Sequence, residues 1–151
     1  MNFAKIAFFN KRGTEERMDK EINVENIILL DEDVRNLQTL LNLTDGSIAQ
    51  YSAALRNEVM KATVVARSDL PDDVITMHSS VTVIDQSDGE SMECTVVYPW
   101  EADADNNKIS VLAPLGTALL GYREGDSIDW KVPAGTIRYV VRTVRQPDAP
   151  A

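Results

Sequence analysis

The sequence predicts an α+β fold, in which a helical segment precedes a strand-rich segment. Two runs between residues 27 and 66 repeat apolar residues at helical spacing, whereas from residue 74 onward apolar residues alternate with a period of two. Helices followed along the chain by strands are typical of the α+β class. With 151 residues, of which 44% are hydrophobic, the chain can form a core without disulfide or metal staples.

The chain divides into four predicted parts. Residues 1–26 are polar and lack a clear period, so we expect an N-terminal tail, and residues 147–151 are expected to form a frayed C-terminal tail. Residues 27–66 form the predicted helical hairpin, and residues 67–146 form the strand-rich domain.

The hairpin is predicted from two amphipathic helices over 32–43 and 48–65. The turn-rich residues between them leave a short connection, which makes the two helices antiparallel neighbours. The first helix would be only about 18 Å long at about 1.5 Å per residue. The apolar residues expected to meet between the two helices are Leu37, Leu40, Leu41, Ile48, Tyr51 and Leu55. Packing of the two helices is enough to explain them, so the pattern alone does not indicate a function for the hairpin.

The strand-rich domain is predicted to be an antiparallel sheet that curls round one short helix. The short helix covers 115–120, with Pro114 at its first turn and Gly121 just after its end. Turns such as Ser87-Asp88-Gly89 separate the strands. The predicted strands cover residues 74–77, 81–84, 92–98, 109–112, 128–132 and 137–144.

Composition excludes several classes of function. A formal net charge of −9 repels a phosphate backbone, so we expect no direct nucleic-acid binding, whether sequence-independent or sequence-specific. The chain has no run of eighteen apolar residues, so we expect no membrane span. We also expect no signal peptide, because the first apolar run is short and no small-residue cleavage pattern follows it. One cysteine, Cys94, and one histidine, His78, cannot build a disulfide or a common zinc site. We expect a cytoplasmic protein with no metal and no cofactor.

Catalytic residues are not predicted. His78 and Cys94 lie in strand-like segments without an acid at a meaningful spacing, and half-buried packing is the expected role of each. Trp100 and Trp130 are interpreted as packing or contact residues. The aromatic pocket that prolyl isomerisation needs is hard to assemble from so few scattered aromatic residues.

Several motifs resemble the Gre-type transcription elongation factors. The resemblance extends over about residues 27–145 and is dense through 71–135, and two variants, Val97-Tyr98-Pro99 and Ile128-Asp129-Trp130, look most like the branch named regulator of nucleoside diphosphate kinase. The segments that carry it are residues 71–81, Ser87-Asp88-Gly89-Glu90, Val97-Tyr98-Pro99, residues 113–121, Gly125-Asp126 and Pro133-Ala134-Gly135.

The resemblance implies a short antiparallel coiled coil joined to an FKBP-like domain that binds bacterial RNA polymerase at the rim of its secondary channel. In Gre factors the contact precedes the short helix, which here corresponds to Leu112, Ala113 and Pro114. Several relatives carry an acidic and a hydroxyl residue where this chain has Leu112 and Ala113, so the contact would be more apolar. Pro114 could equally serve only to start the helix.

The resemblance also bears on whether the hairpin tip of this chain could stimulate transcript cleavage. Gre factors that stimulate transcript cleavage carry two acidic tip residues that help hold magnesium, whereas this chain offers Asp45 and has Ile48 or an uncharged neighbour in the second place. Asp45 beside Gly46 is also an ordinary turn residue. The expected function is a non-enzymatic regulator that competes with Gre cleavage factors. A true cleavage factor and an unrelated binding or isomerase module remain alternatives.

Overall fold

The computed structural model describes residues 27–43 and 49–147. The predicted N-terminal tail, the tip residue Asp45, Ile48 and the last four residues lie outside the described residues. The helices are α1 (Asp31–Leu43), α2 (Ala49–Lys61) and α3 (Pro114–Leu119), and the strands are β1 (Ile28–Leu30), β2 (Thr63–Val65), β3 (Ser80–Asp85), β4 (Ser91–Val97), β5 (Lys108–Ser110), β6 (Ser127–Val132) and β7 (Gly135–Arg145).

Helices α1 and α2 pack against each other, as the apolar spacing predicts. Leu37 and Leu55 are both fully buried in one core cluster, together with Leu40 and Leu41. The Arg56 guanidinium donates to the Leu41 carbonyl at 3.3 Å, which satisfies one of the free carbonyls at the end of α1. Acidic side chains occupy the first turn of α1, where the helix dipole favours them.

The prediction that the second helix continues to residue 65 is wrong. Helix α2 ends at Lys61, and residues 63–65 form β2, which pairs in parallel with β1. Thr63, Val64 and Val65 are β-branched, and this type of residue loses side-chain freedom in a helix and favours a strand. The base of the hairpin is therefore closed by a two-stranded ladder that the sequence did not predict.

The five-stranded sheet has the order β5-β4-β3-β7-β6. Three of its four pairings are antiparallel, but β4 and β5 run parallel, so the prediction of a purely antiparallel sheet is wrong. The ten residues 98–107 between β4 and β5 include two 3-10 turns and carry the chain back to the start of the neighbouring strand, as a parallel pair requires. An irregularity between Thr82 and Val83 shifts the register of β3 against β7.

The predicted strand at 74–77 does not form. Its backbone makes one isolated bridge, from Val74 to Arg123, and then enters a turn. The Ser79 hydroxyl accepts from the Thr76 N–H at 2.9 Å, so side-chain hydrogen bonds replace strand pairing here. Val74, Ile75 and Met77 are nevertheless buried, which explains why this segment looks like a strand in the sequence.

The remaining boundaries differ from the predictions by one to two residues. Helix α3 starts at Pro114 instead of 115, and β5 ends at Ser110 instead of 112 because residues 111–112 enter a turn. Helix α3 contacts β4, β5, β6 and α2, so it joins the sheet to the hairpin. The mixed α+β content and the curled sheet are as expected, whereas the terms coiled coil and FKBP-like stay predictions. No helix in the described part is long and apolar enough to cross a membrane.

Candidate functional site

The loop formed by Leu112, Ala113 and Pro114, called the 112–114 loop below, is held by local hydrogen bonds. The Ser110 hydroxyl accepts from the Leu112 N–H at 3.0 Å, and the Ser110 carbonyl accepts from the Ala113 N–H at 3.0 Å. Both bonds close a tight turn directly after β5. The loop is thus ordered before any partner arrives.

Helix α3 fixes the other side of this loop. The Thr117 hydroxyl donates to the Val111 carbonyl at 2.6 Å, and the Thr117 N–H donates to the Ala113 carbonyl at 2.9 Å. Gly116 allows the helix to lie against the end of β5, because a Cβ there would collide with the Ser110 carbonyl oxygen. Leu115 and Leu119 anchor the helix in the core.

The structure places the three predicted contact residues together at the start of α3. Leu112 is half-buried and packs against the core, Ala113 is half-buried, and Pro114 is exposed at the first helical position. Pro114 lacks a backbone N–H, but the N–H at the first position of a helix has no hydrogen-bond partner within the helix, so no bond is lost. The loop presents apolar atoms without a charged side chain of its own.

The segment after α3 connects this loop to the base of the hairpin. Gly121 has a φ of +87°, and its backbone carbonyl accepts from the Ile28 N–H at 3.3 Å. A Cβ at Gly121 would come within 2.6 Å of the Ile27 side chain. The hairpin base therefore rests directly on the turn that ends the helix.

A buried carboxylate forms a second connection between the hairpin and the sheet. Asp33, in the first turn of α1, is 8% exposed, and its Oδ2 accepts from the Met77 N–H at 3.1 Å. Burial raises the pKa of Asp33 to about 6, although the hydrogen bond from Met77 acts in the opposite direction. The nearby Glu32 pairs with Arg67 at 3.1 Å across the same junction.

His78 does not occupy the position that the sequence predicts. It is exposed rather than half-buried in a strand, its φ is +70°, and its Nε2 lies 2.8 Å from Glu101 Oε1. No acid lies at a meaningful sequence spacing from His78, but the fold brings in Glu101 from 23 residues away. Partial burial alone would raise the pKa of Glu101, but hydrogen bonds from His78 and from the Tyr98 N–H hold it below its usual value.

The two tryptophans have different environments. Trp100 is 70% exposed and stacks on Tyr98, with ring centroids 5.2 Å apart and planes within 5°. Trp130 packs against the core and lies 5.9 Å from the Tyr139 ring. Trp130 is therefore a packing residue, whereas Trp100 is a surface residue.

The cysteine and the potential metal ligands of the described residues form no accessible site. Cys94 packs in the core and is fully buried rather than half-buried as expected, and burial raises its pKa to about 11. Within residues 27–43 and 49–147, no three His, Cys, Asp or Glu side chains are grouped as metal ligands would be. Asp45 is outside these ranges.

Comparison with known proteins identifies the family. A regulator of nucleoside diphosphate kinase from Escherichia coli K12 is 38% identical over 125 residues, which cover 82% of this chain and 92% of that protein. Transcription elongation factor GreA of Thermoanaerobacter pseudethanolicus is 39% identical over 102 residues, covering 68% of this chain and 62% of GreA.

A solved structure agrees with these sequence relatives. A prokaryotic transcription elongation factor GreA/GreB from Nitrosomonas europaea superposes with a TM-score of 0.69 at 34% identity, covering 80% of this chain and 98% of that one. Residues 70–146, which include the 112–114 loop, match the family model for the C-terminal domain of transcription elongation factor GreA/GreB. The chain therefore belongs to the GreA/GreB family of transcription elongation factors.

Proposed function

We propose that this protein is a non-enzymatic transcription regulator that binds bacterial RNA polymerase at the secondary channel and competes there with Gre cleavage factors. Membership of the GreA/GreB family supports a role in transcription. Such a role places the protein in the cytoplasm, where the polymerase works, and requires no cofactor.

The observation that carries the proposal is the ordered apolar loop before α3. Leu112, Ala113 and Pro114 are the contact residues that the family resemblance implies. Their backbone is held by three hydrogen bonds, made by the Leu112 N–H, the Ala113 N–H and the Ala113 carbonyl. A surface that is already ordered loses little conformational entropy on binding. Pro114 is exposed and follows two half-buried residues, Leu112 and Ala113, which gives the loop a small apolar contact area.

The length of the hairpin, which the family resemblance implies is shorter than in cleavage factors, favours binding over cleavage. Helix α1 has 13 residues, which at about 1.5 Å per residue gives a rod of about 20 Å. Assistance to a metal-dependent reaction requires ligands placed to within a fraction of an ångström. The resemblance implies two acidic tip residues in cleavage factors, whereas the tip here has a single acid, Asp45, and so supplies fewer of the oxygen ligands that magnesium prefers.

The alternative is a cleavage factor, and the 39% identity to GreA supports it. In that case Asp45 would act at the polymerase active site. The two proposals share the docking surface and differ in what the tip does. Measurement of transcript cleavage therefore separates them, whereas measurement of binding tests what they have in common.

Binding is tested with the full chain and purified bacterial core RNA polymerase. The full chain is used because Ile27 and Asp33 of the hairpin pack on the strand-rich domain. Pro114→Asp places a charge in the apolar contact and should raise the Kd about tenfold or more. An acid at the first helical position is compatible with the helix dipole, so α3 should stay folded.

Pro133→Asp is the matched control, because Pro133 is also exposed but lies in the turn between β6 and β7. It should bind like the unmodified chain. Failure of the unmodified chain to bind polymerase would refute the proposed function. Equal binding by the unmodified chain and Pro114→Asp would show that the contact lies elsewhere.

A further inference from the structure

Trp100 presents an aromatic ring at the surface that the packing of this chain does not use. Its side chain is 70% exposed, although burial of a tryptophan is strongly favourable. The indole lies parallel to the Tyr98 ring at a centroid distance of 5.2 Å, so it is held in one orientation. Tyr98 itself is buried and anchors the stack in the core.

Hydrogen bonds fix the turn that carries Trp100. Glu101 Oε1 accepts from the Tyr98 N–H at 3.1 Å and lies 2.8 Å from His78 Nε2. The His78 ring makes an edge contact with Tyr98, at a centroid distance of 5.6 Å. Pro99 at the first position of the 3-10 turn restricts the backbone further.

His78 adopts a backbone conformation that is unfavourable for a side chain. Its φ of +70° lies in the left-handed region, and its N–H is held by the Val96 carbonyl at 2.6 Å. Strained residues of this kind persist when their surroundings fix them, and they occur often at functional sites. Here the strained residue supports the turn that displays the indole.

Topology brings Trp100 and the 112–114 loop to the same edge of the sheet. Strands β4 and β5 are parallel neighbours, with Val97 opposite Ser110. The Val111 N–H donates to the Val97 carbonyl at 2.8 Å, so the segments that follow β4 and β5 leave the sheet side by side. Trp100 follows the last residue of β4 by three positions, and Pro114 follows the last residue of β5 by four.

The charges around the ring favour a cationic partner. Three acids, Glu101, Asp103 and Asp105, follow Trp100 within five residues, and the whole chain carries a formal charge of −9. The basic groups close to Glu101 are His78 and Lys108, so acids outnumber bases in this segment. A guanidinium or ammonium group is attracted to the face of an indole ring. Neighbouring carboxylates add to this attraction and repel anions.

We propose that Trp100 is a second anchor of the docking surface and receives an arginine or lysine side chain of RNA polymerase on its indole ring. This inference rests on the proposed function, because it requires that polymerase binds at the neighbouring 112–114 loop. It adds a residue and a chemical specificity that the apolar loop alone does not provide. Tryptophan is among the residues that most often dominate the binding energy of an interface.

The test compares two substitutions of Trp100 in the full chain, with Kd measured on immobilised bacterial core RNA polymerase. Trp100→Leu keeps an apolar side chain but removes the aromatic face, and should weaken binding about tenfold, or about 1.4 kcal/mol. Trp100→Phe keeps an aromatic face and should recover at least half of that loss in free energy. Met60→Ala is the control, because Met60 is also an exposed apolar residue, at 76%, but belongs to α2 and to neither of the two segments that carry Trp100 and the 112–114 loop.

The outcomes separate the inference from the proposed function. If the unmodified chain binds and Pro114→Asp binds weakly, but Trp100→Leu binds like the unmodified chain, the inference is overturned and the docking loop stands. If Trp100→Phe is as weak as Trp100→Leu, recognition of a cation by the ring is refuted. If the unmodified chain does not bind polymerase, both proposals fail. Far-UV circular dichroism and Tm should match among the variants, since the removed atoms are mostly exposed.

Discussion

Replacing Asp33 by asparagine should change how the stability of the protein depends on pH. Asp33 is buried at the junction of α1 with the Thr76–Ser79 turn, and it accepts a hydrogen bond from the Met77 N–H. The charged groups that face it are Glu32 on α1, Arg67 after β2 and His78 beside Met77. An asparagine oxygen can accept the same hydrogen bond, so the substitution removes the charge and leaves the contact.

The magnitude follows from the difference in pKa between the folded and unfolded states. Burial raises the pKa of Asp33 from 3.8 to about 6, so the folded protein holds this proton more tightly than the unfolded chain. The stabilising effect of that proton is present below pH 4 and is lost as the pH rises through 6. At 1.36 kcal/mol per pKa unit the total is about 3 kcal/mol, of which about 2 kcal/mol is lost between pH 4.5 and 7.5.

Urea unfolding followed by far-UV circular dichroism measures this effect. The free energy of unfolding of Asp33→Asn, minus that of the unmodified chain, should increase by about 2 kcal/mol from pH 4.5 to 7.5. Asp33→Ala is a companion variant that also leaves the buried Met77 N–H without its acceptor, and should be less stable than Asp33→Asn by about 1–3 kcal/mol. A difference between Asp33→Asn and the unmodified chain that stays constant with pH would refute the reasoning.

Three further predictions concern the loop and the core. Gly116→Ala should lower stability by about 1–3 kcal/mol because its Cβ meets the Ser110 carbonyl, and an unchanged Tm would contradict this close approach. Thr117→Val should lower stability by about 1–2 kcal/mol through loss of the bond to the Val111 carbonyl; no change on urea unfolding would show that this bond contributes little. Cys94 should resist alkylation by iodoacetamide in the folded protein and react in urea, because it is buried with a pKa of about 11; fast reaction without urea would contradict its burial.

Where sequence patterns are strong, they predict this fold well. The alternation of apolar residues locates β3, β4, β6 and β7, and the helical spacing of leucines locates α1 to within one residue. Proline before an apolar run and glycine after it locate α3. Each of these elements has a local pattern that agrees with its tertiary environment.

The errors arise where long-range contacts decide the structure. Residues 63–65 form a strand because β1 lies beside them, and three residues are too few to show a period. Val74, Ile75 and Met77 are apolar because they are buried, but the backbone bonds of this segment go to side chains and to Tyr122. The parallel pairing of β4 and β5 depends on the path of residues 98–107, which the sequence alone does not define.

The candidate site was predictable only in part. The family resemblance implies a contact at Leu112, Ala113 and Pro114, which stays a prediction. The structure adds that local hydrogen bonds hold these residues and that Pro114 is exposed. The pairing of His78 with Glu101 could not be predicted, since no local signal marks a histidine for positive φ or joins it to an acid 23 residues away. Which of the two tryptophans is exposed likewise depends on the packing of the sheet.

A competition assay on a backtracked elongation complex tests the proposed function most directly. The protein alone should produce no RNA cleavage. When added together with a Gre factor, it should inhibit cleavage by that factor in a concentration-dependent way. Asp45→Ala should inhibit equally well, because the docking surface that we propose lies at the 112–114 loop, whereas Pro114→Asp should inhibit poorly. Robust cleavage by the unmodified protein, abolished in Asp45→Ala, would contradict the non-enzymatic role and establish a cleavage factor.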